Sequence, residues 1–570
     1  MCDILLRMLR QTLQTCALVC LAASSPIQGQ SAVSPQTVPA APTRADILRG
    51  EYGPYRANND LLSYDLRVRV DPDKKFIRGT NTIKFRMLKD DARIQLDLFA
   101  NLAIDRIAFR GADLKYEREI NTVYVDFPET LRKNHEYAID FHYSGNPTET
   151  GRFGGITFKK DAGGHTWINT ACQHVGASVW WPNKDQYPDE VENMRLSVAI
   201  PSDLVDVSNG KFVRKVDLGD GYTRWDWQIH YPINNYSVSL NIGDYVHFAD
   251  TADGKTLDFY ALSEDLDKAK RQFVQAKSMM EAFEKYFGGY PFRKDGYKLI
   301  EVPYSGMEHQ SAVTYGNRFA NGYLERDWTG VGISPRFDFI IVHESAHEWF
   351  GNAVTAADVS DEWIHEAWAT YAEGVYVEHM WGKADGLKYL NGYVSKVRNR
   401  DPIVAPRGVN KVPPQDMYFK GALFINTLRS IVDNDKRWWA ILRDYYRDFR
   451  YRNIMTEDVV RFFNRKIGKD LTPAFNQYLR RPELPALELR FDAADATVSY
   501  RWKAAEPGFD MPIKVGRRTA WLTIRPTATW QTMKLEMAKE DFDVATDLYF
   551  VTVTGKPARA SSRTRPGARP

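Results

Sequence analysis

The chain has 570 residues, 44% of them hydrophobic and 26% charged, which is the composition of a soluble globular protein with several domains, roughly three or four. Its formal net charge of +3 is close to neutral for this length, which excludes the strongly basic surface typical of nucleic-acid-binding proteins. Aromatic residues make up 13% of the chain, which favours large cores and a roomy cleft. We therefore expect a multidomain protein without a nucleic-acid partner.

The N-terminus has the pattern of an export signal. Arg7 and Arg10 precede an apolar stretch, residues 16–23, which small and polar residues follow. Because this stretch is too short to span a bilayer permanently, we predict a cleaved signal peptide over residues 1–30 and a periplasmic or secreted protein. An uncleaved anchor is the alternative. A lipoprotein site at Cys20 is disfavoured, since small residues do not precede it.

One cysteine, Cys172, remains beyond the predicted signal, so the exported chain has no partner for an intrachain disulfide. We expect it to be a small, partly buried residue rather than a nucleophile. No later segment is long and apolar enough to cross a bilayer, and we predict no membrane span in the mature chain. Nothing in these patterns indicates an oligomeric state.

The first periodic region alternates between apolar and polar residues. Tyr64, Leu66 and Val68 point one way and the residues between them the other, as in a half-buried strand, and similar runs follow. The segment before this region is rich in Ser, Pro, Gln and Ala and has no apolar period. We predict a flexible linker over residues 31–50 and an antiparallel β domain over residues 51–255.

The apolar period then changes. Residues 263–287 have a helical pattern that Gly288 ends, a strand candidate follows at residues 298–302, and helical patterns dominate residues 336–480. Strand-like alternation returns after Pro485. The predicted parts are a central domain with strands and many helices over residues 256–482, a small β domain over residues 483–555 and a disordered basic tail over residues 556–570.

The sharpest local signal is the sequence His343-Glu344-Ser345-Ala346-His347. Residues four apart on a helix share a face, so these two imidazoles can bind one cation in tetrahedral geometry. Glu344 lies on the adjoining part of that face and can reach a water at the metal without being a ligand. With only 11 histidines in the chain, a chance match has a probability on the order of 1%. The motif therefore favours a metal site over an ordinary amphipathic helix.

A catalytic zinc site usually has three protein ligands and one open position. A second helix is predicted to begin near Ser360 or Asp361, either of which could cap it. On this helix Glu366 could supply the third ligand, and Glu373, two turns further on, could orient an imidazole. The other nearby candidates, which spacing alone does not exclude, are His365 and His379.

Eighteen residues separate His347 from Glu366, and the residues between them include Gly-Asn, Thr and Asp-x-Trp at fixed positions. This stretch resembles the gluzincin family of aminopeptidase N and leukotriene hydrolases. The resemblance implies one zinc ion per chain, with His343, His347 and Glu366 as ligands and Glu344 as the catalytic base.

Upstream, the sequence Ser305-Gly306-Met307-Glu308-His309 resembles the family's Gly-x-Met-Glu-Asn motif, whose glutamate binds the free amino group of the substrate. The resemblance implies this role for Glu308, and substrate contacts for Gly306 and Met307. Ser305 and His309 depart from the family's Gly and Asn. The carboxylate is kept, which favours aminopeptidase specificity.

Two further segments agree with the family in order and spacing. Tyr418, followed by Phe-Lys-Gly, resembles the segment whose tyrosine donates a hydrogen bond to the oxyanion of the reaction. Gln173 resembles the residue of the N-terminal domain that reaches the substrate amine, although Ser178 replaces the arginine usual in that loop. The resemblance therefore implies a catalytic role for Tyr418 and a substrate-binding role for Gln173.

The matching motifs cover about residues 62–485. They imply a multidomain α+β fold with a β saddle, a thermolysin-like α/β catalytic domain and a small C-terminal β domain, without the large helical C-terminal domain of many members. The implied activity is that of a zinc aminopeptidase acting on peptides with a free N-terminus. The alternatives are a thermolysin-like endopeptidase, an epoxide hydrolase and a non-catalytic binding protein, of which the last should have lost a ligand, the base or the tyrosine.

Overall fold

The computed structural model describes residues 41–150, 154–494 and 496–555. The predicted signal peptide, residues 1–30, and the predicted tail, residues 556–570, lie outside this part of the chain. The described residues from Pro42 onward form one unit, which includes all the elements named below.

The predicted flexible linker is wrong at its C-terminal end, because helix α1 spans Arg44–Gly50. Thr43 and Asp46 form a reciprocal capping box, in which the Thr43 side chain accepts from the Asp46 backbone and the Asp46 side chain accepts from the Thr43 backbone. Leu48 is the buried residue of this helix. A local capping signal thus outweighs the polar composition of the segment.

The N-terminal domain contains three sheets, and in long strands such as Asn59–Asp71 and Phe76–Met87 the alternating sequence buries one face. In spatial order, the eight-stranded sheet contains Lys211–Asp217, Tyr222–Ile229, Asn193–Pro201, Asn59–Asp71, Phe76–Met87, Glu136–Gly145, Leu102–Phe109 and Ala112–Asp113. The four-stranded sheet contains Val205–Asp206, Asn241–Gly243, Thr166–Ala171 and Gly155–Lys160. The three-stranded sheet contains Asp91–Asp97, Thr122–Leu131 and Lys115–Glu119. All these pairings are antiparallel, as predicted, except that Asn59–Asp71 pairs parallel with Asn193–Pro201.

The central domain begins with a mixed five-stranded sheet of Tyr245–Ala252, Lys255–Leu262, Tyr297–Glu301, Val313–Tyr315 and Gly306–Met307. The predicted boundary at residues 255/256 is therefore misplaced, because it falls inside the hairpin that its first two strands form. The short strands Val354–Ala356 and Arg452–Ile454 pair separately. Strand Gly306–Met307 lies where the two domains meet, since Met307 belongs to the hydrophobic core of the N-terminal domain.

Nine helices of the described residues belong to this domain: α2 (Leu266–Gln272), α3 (Gln275–Tyr286), α4 (Phe339–Ala346), α5 (Trp363–Trp381), α6 (Lys383–Asn391), α7 (Asp416–Val432), α8 (Asp435–Phe449), α9 (Thr456–Ile467) and α10 (Thr472–Leu479). The single helix predicted over residues 263–287 is divided into α2 and α3 at Phe273, whose ring is fully buried. Gly288 follows α3 with a φ of 122°, as expected for a stop.

The C-terminal β domain contains one sheet of Gln531–Lys534, Thr497–Lys503, Ala486–Asp492 and Thr552–Thr554, and another of Ala520–Ile524, Ile513–Arg517 and Asp543–Val544. Its core is continuous with that of the catalytic helices, because Leu487 and Trp502 belong to the same hydrophobic cluster as Leu428 and Phe475. No helix of the described residues has the length and apolar character needed to cross a bilayer.

Candidate active site

Helices α4 and α5 carry the predicted ligands and pack against each other. Asp338 caps α4 by accepting from the backbone nitrogens of Ile340 and Ile341 at 3.0 and 3.3 Å. Every residue of α4 is buried, so His343 and His347 project into the interior rather than into solvent. The predicted cap of α5 is wrong: Asp358 accepts from the Ser360 nitrogen and begins the preceding 3-10 turn, Val359–Asp361.

The structure brings His343, His347 and Glu366 together, with one ligand atom of each within 4.8 Å of the others. Oε2 of Glu366 lies 3.6 Å from Nε2 of His343 and 3.4 Å from Nε2 of His347. Burial alone would raise the pKa of the Glu366 carboxyl, but the two imidazoles lower it well below its usual value. Two imidazole nitrogens and an anionic oxygen therefore converge on one point.

This donor set fits a zinc ion. Oε2 of Glu366 is buried and has no hydrogen-bond partner among the residues that the structure describes. Nδ1 of His343 donates to Glu373 at 2.7 Å, and Nδ1 of His347 donates to the Phe350 carbonyl at 2.9 Å. Because both Nδ1 atoms carry the proton, both Nε2 lone pairs face the unpaired oxygen, as zinc ligation requires. The chain thus offers three ligands of the types zinc prefers.

A second group of atoms within 4.8 Å of one another comprises Glu308, Glu344 and His347. It differs from the first group because Oε1 of Glu308 already accepts from Gln173 and Tyr236, at 2.7 and 3.2 Å. Because this oxygen of Glu308 already accepts two hydrogen bonds, the second group fits a metal ion less well than the group of His343, His347 and Glu366.

Glu373 orients His343 from the next turns of α5. Its Oε1 accepts from Nδ1 of His343, and its Oε2 accepts from the hydroxyls of Tyr389, at 2.8 Å, and Tyr393. All four side chains are buried. Glu373 thus makes the hydrogen bond to a histidine ligand that we expected from its place on α5. The sequence motif did not indicate its two tyrosine partners.

The chain turns sharply after His347 so that the Phe350 carbonyl can reach its ring. Phe350 and Gly351 leave helical geometry, with φ values of −124° and +131°. A Cβ at Gly351 would lie 3.1 Å from Nδ1 of His347. Only glycine suits this position, because it adopts the left-handed backbone and leaves room for the imidazole.

The predicted base, Glu344, is buried on α4 beside strand Gly306–Met307. A Cβ at Gly306 would lie 2.6 Å from Ile340 and 3.0 Å from Cγ of Glu344. The glycine of the motif thus allows the strand to approach the helix closely. Ser305 does not have positive φ, so a serine fits where the family has glycine.

The backbone around Glu308 is held by the segment Glu348–Asn352, which follows α4 and His347. Its carbonyl accepts from Asn352 at 2.7 Å, and Glu348 accepts from the backbone of Ser311 at 3.0 Å and from Asn352 at 2.9 Å. The Glu308 carboxylate is 2% exposed. Burial and the nearby Glu366 and Glu344 raise its pKa to about 8, against the opposing effect of His347. A cation is therefore required to stabilise the anion fully.

Gln173 reaches this site from the N-terminal domain. Its Nε2 lies 2.7 Å from Glu308, 3.4 Å from Glu362 and 3.3 Å from Glu366. The neighbouring His174 donates from Nε2 to both oxygens of Glu362, at 2.9 and 2.8 Å. The sequence did not indicate His174 or Glu362 as parts of this site, although Glu362 is four residues before Glu366 and therefore lies close to it.

All the predicted catalytic and substrate-binding residues line one cavity of about 560 Å³. Tyr418 lies on α7 with its ring 6.2 Å from that of His343, and burial together with nearby Glu366 raises its pKa well above the usual value. The hydroxyl therefore remains a proton donor at neutral pH. Five further aromatic side chains line the cavity: Tyr323, Trp328, Phe339, Tyr393 and Phe419.

The other histidines have different surroundings. His365 accepts from the Ala356 nitrogen at 2.8 Å, and burial lowers its pKa to about 3. His309 does not line the cavity, and burial likewise lowers its pKa to about 3. Neither of its ring nitrogens has a hydrogen-bond partner within residues 41–150, 154–494 and 496–555. His379 lies 3.9 Å from the exposed Glu281. None of the three belongs to the converging group.

Three more residues lie in or beside the loop that contains Gln173. Ser178, which replaces the family's arginine, donates to Asp185 at 2.6 Å. Arg49 of α1 reaches the same loop, since a Cβ at Gly176 would lie 2.4 Å from its guanidinium. Cys172 is fully buried, more so than predicted, and burial raises the pKa of its thiol.

Family comparisons agree with this geometry. The model of the peptidase M1 N-terminal domain matches residues 61–236, and that of the peptidase family M1 domain matches residues 271–478, which together make up more than half of the chain. Helices α4 and α5 and strand Gly306–Met307 lie within the second match, and Gln173 lies within the first.

Similar curated proteins include human endoplasmic reticulum aminopeptidase 1, 24% identical over 74% of this chain and 47% of its own length. Leucyl aminopeptidase of Saccharolobus solfataricus is 22% identical over 71% of this chain and 52% of its own. The chain spans about half the length of these relatives.

Among solved structures, an M1 zinc metallopeptidase of Deinococcus radiodurans has a TM-score of 0.63 and 20% identity, with 75% of this chain and 95% of that chain covered. A mutant of that protein bound to a Tyr-Ser-Ala substrate has a TM-score of 0.62. This likeness shows a common fold. By its two matched domains, the chain belongs to peptidase family M1.

Proposed function

We propose that this protein is a zinc-dependent aminopeptidase that removes N-terminal residues from peptides. The observation that carries the proposal is the short distance between the amine anchor and the base: carboxylate oxygens of Glu308 and Glu344 lie within 4.8 Å of each other and of His347. The backbone of one residue spans only about 2.5 Å from its nitrogen to its carbonyl carbon. The cavity therefore accommodates one residue between the ammonium group and the scissile carbonyl.

His343, His347 and Glu366 would hold the zinc ion, which supplies a Lewis acid that polarises the carbonyl and lowers the pKa of a water to about 7. Glu308 pairs with the substrate ammonium, and Gln173 adds a polar contact. This pairing fixes the substrate by its free end, so that binding energy selects the first peptide bond.

Glu344 accepts the proton of the attacking water and then gives it to the leaving amine. The Tyr418 hydroxyl donates a hydrogen bond to the carbonyl oxygen as negative charge develops on it. Glu344 is buried, Tyr418 is partly buried, and both line the cavity. These positions support the two roles, because fixed dipoles and charges act more strongly where water is partly excluded.

The test is hydrolysis of a set of aminoacyl-fluorophores, with and without a chelator, beside an N-acetylated peptide of the same sequence. An aminopeptidase should cleave the free amines, lose activity with the chelator and leave the acetylated peptide intact. Equal cleavage of both peptides would instead indicate the thermolysin-like endopeptidase. Bound zinc without hydrolysis of either would indicate a binding protein.

We further propose that the protein is exported, on the basis of the predicted signal over residues 1–30. Two charged residues and a short apolar stretch in that segment support the proposal. Fractionation of expressing bacterial cells, followed by N-terminal sequencing of the isolated protein, tests it. A full-length cytoplasmic product that begins at Met1 would contradict it.

A further inference from the structure

Glu362 is a buried carboxylate to which the proposed reaction assigns no role. Its side chain is fully buried, and Tyr187 donates to its Oε1 at 3.1 Å. His174, which also lines the cavity, donates to both of its oxygens. Glu362 itself does not line the cavity. Any effect that it has on the substrate must therefore pass through a neighbour.

Gln173 and His174 both touch Glu362 and line the cavity, but of the two only Gln173 also contacts Glu308, the proposed partner of the substrate amine. Its Nε2 faces carboxylate oxygens of Glu308, Glu362 and Glu366 at 2.7, 3.4 and 3.3 Å. An ionised carboxylate only accepts hydrogen bonds, whereas an amide has one donor and one acceptor end. If the Gln173 amide were reversed, its oxygen would face carboxylate oxygens, which cannot donate a hydrogen bond. The three carboxylates together therefore keep the NH₂ end of the amide turned toward them.

The backbone around Gln173 supports the same arrangement. His174 has a φ of +65°, an uncommon value for a residue other than glycine. Tight turns flank it, with the Val175 nitrogen donating to the Gln173 carbonyl at 2.8 Å and the Gly176 nitrogen to the Cys172 carbonyl at 2.7 Å. This strained turn directs two consecutive side chains toward two different carboxylates.

We propose that Glu362 is a positioning residue for the substrate ammonium group, because it holds the Gln173 amide with Nε2 against the acidic wall and leaves Oε1 to accept from the bound amine. The proposal rests on the aminopeptidase function proposed above. His174 and Tyr187 hold Glu362 in turn, and Glu308 remains the anionic partner of the amine. The N-terminal domain thus contributes an oriented hydrogen-bond acceptor, Oε1 of Gln173, and Glu362, which directly precedes α5, holds it in place.

The competing explanation is purely structural: the contact between His174 and Glu362 ties the N-terminal domain to the catalytic domain. Both explanations predict that a change at Glu362 lowers thermal stability. Only the positioning role predicts that the amine binds more weakly while the chemical step proceeds at a similar rate. The experiment must therefore separate KM from kcat.

The main variant is Glu362→Gln, with steady-state kinetics on leucyl-fluorophore. Oε1 of Glu362 faces donors on Gln173, His174 and Tyr187, and a neutral amide oxygen in its place is a weaker acceptor that holds the Gln173 amide less firmly. We expect KM to rise about tenfold, the loss of one hydrogen bond to a charged group, with kcat within twofold of the wild type. Glu362→Asp keeps the charge and should recover part of the KM effect.

Glu378→Gln is the matched control. Glu378 is on α5, the helix that Glu362 precedes, and forms a partly buried ion pair with Arg429 at 2.6 Å without lining the cavity. This variant should lower the melting temperature and leave KM unchanged. A Glu362→Gln enzyme that loses only stability, as Glu378→Gln does, would overturn the positioning role. If Glu362→Gln does not fold, Tyr187→Phe replaces it, because this variant removes one hydrogen-bond donor to Glu362. It should raise KM two- to threefold, and an unchanged KM would overturn the positioning role.

A second measurement does not depend on turnover. Calorimetric titration of leucinol, which has the free amine but no scissile carbonyl, into zinc-loaded wild type and Glu362→Gln should give about tenfold weaker binding to the variant. Equal affinity for both proteins would refute the inference. Failure of the wild type to hydrolyse any aminoacyl-fluorophore would refute the proposed function, whereas the titration would still decide whether Glu362 orients the amine site.

Discussion

His343 Nδ1 donates to Oε1 of Glu373 at 2.7 Å, a contact between residues 30 positions apart on two packed helices. The other oxygen of Glu373 accepts from Tyr389 and Tyr393, so three donors hold this carboxylate in one place. The imidazole therefore has a fixed plane and a fixed tautomer before any metal arrives. Such partners raise the affinity of a site because its ligands need little rearrangement.

Glu373→Gln should therefore weaken zinc binding by 10- to 100-fold, since the neutral amide no longer stabilises the imidazole as a ligand. Competition with a chromophoric chelator measures the affinity. Glu281→Gln, on the solvent-exposed part of α3, serves as the control and should bind zinc as the wild type does. An unchanged affinity in Glu373→Gln would show that His343 needs no such partner.

Glu344→Gln should retain zinc and lose activity. The side chain is isosteric and is not one of the three converging ligand residues, but an amide cannot accept the proton of water. We expect kcat to fall by 10²- to 10⁴-fold, with one zinc per chain by elemental analysis. Turnover near that of the wild type would assign the base to another residue.

Glu308→Ala should change the choice of substrate. Removal of the carboxylate leaves the ammonium group without its anionic partner, so KM for aminoacyl-fluorophores should rise at least tenfold. The preference for a free over an acetylated N-terminus should fall by a similar factor. Parallel assays of the two peptides measure both effects. A variant that still rejects the acetylated peptide as strongly as the wild type would place the amine anchor elsewhere.

The sequence predicted the parts of the site that short spacings determine. His343 and His347 lie on one helical face because of their spacing, and the resemblance supplied Glu366 in the right place. The fold order of β, α/β and β domains followed from the change in apolar period. These features are local, or they rest on motifs that identify a family.

What sequence reasoning missed depends on contacts between distant segments. Tyr389 meets Glu373, and His174 meets Glu362, only because the domains and helices pack in three dimensions. Period alone also could not locate α1, since a capping box determines it. The sequence held one signal for Glu362, its spacing of four residues from Glu366. That spacing indicates a function only together with Gln173, whose amide nitrogen faces both carboxylates.

The N-terminal domain should show a pH dependence of stability that Asp206 controls. This fully buried carboxyl accepts from Trp227 at 2.8 Å and from Ser208 at 3.2 Å, and within the described part of the chain no cationic side chain donates to it. Burial raises its pKa to about 8, although those two hydrogen bonds oppose the rise. The folded protein thus holds a proton on Asp206 at pH values where the unfolded chain has released it.

The sign follows from proton binding. A raised folded-state pKa means that the stabilising effect of Asp206 is complete below about pH 4 and is lost as the pH rises through about 8. Asp206→Asn removes this titration, so the melting temperature of the variant relative to the wild type should increase steadily from pH 5 to pH 8. Asp203→Asn, three residues away on the exposed surface, should show a constant difference. Because all other titrating groups are shared, parallel melting curves for wild type and Asp206→Asn would mean that Asp206 stays ionised in the folded domain.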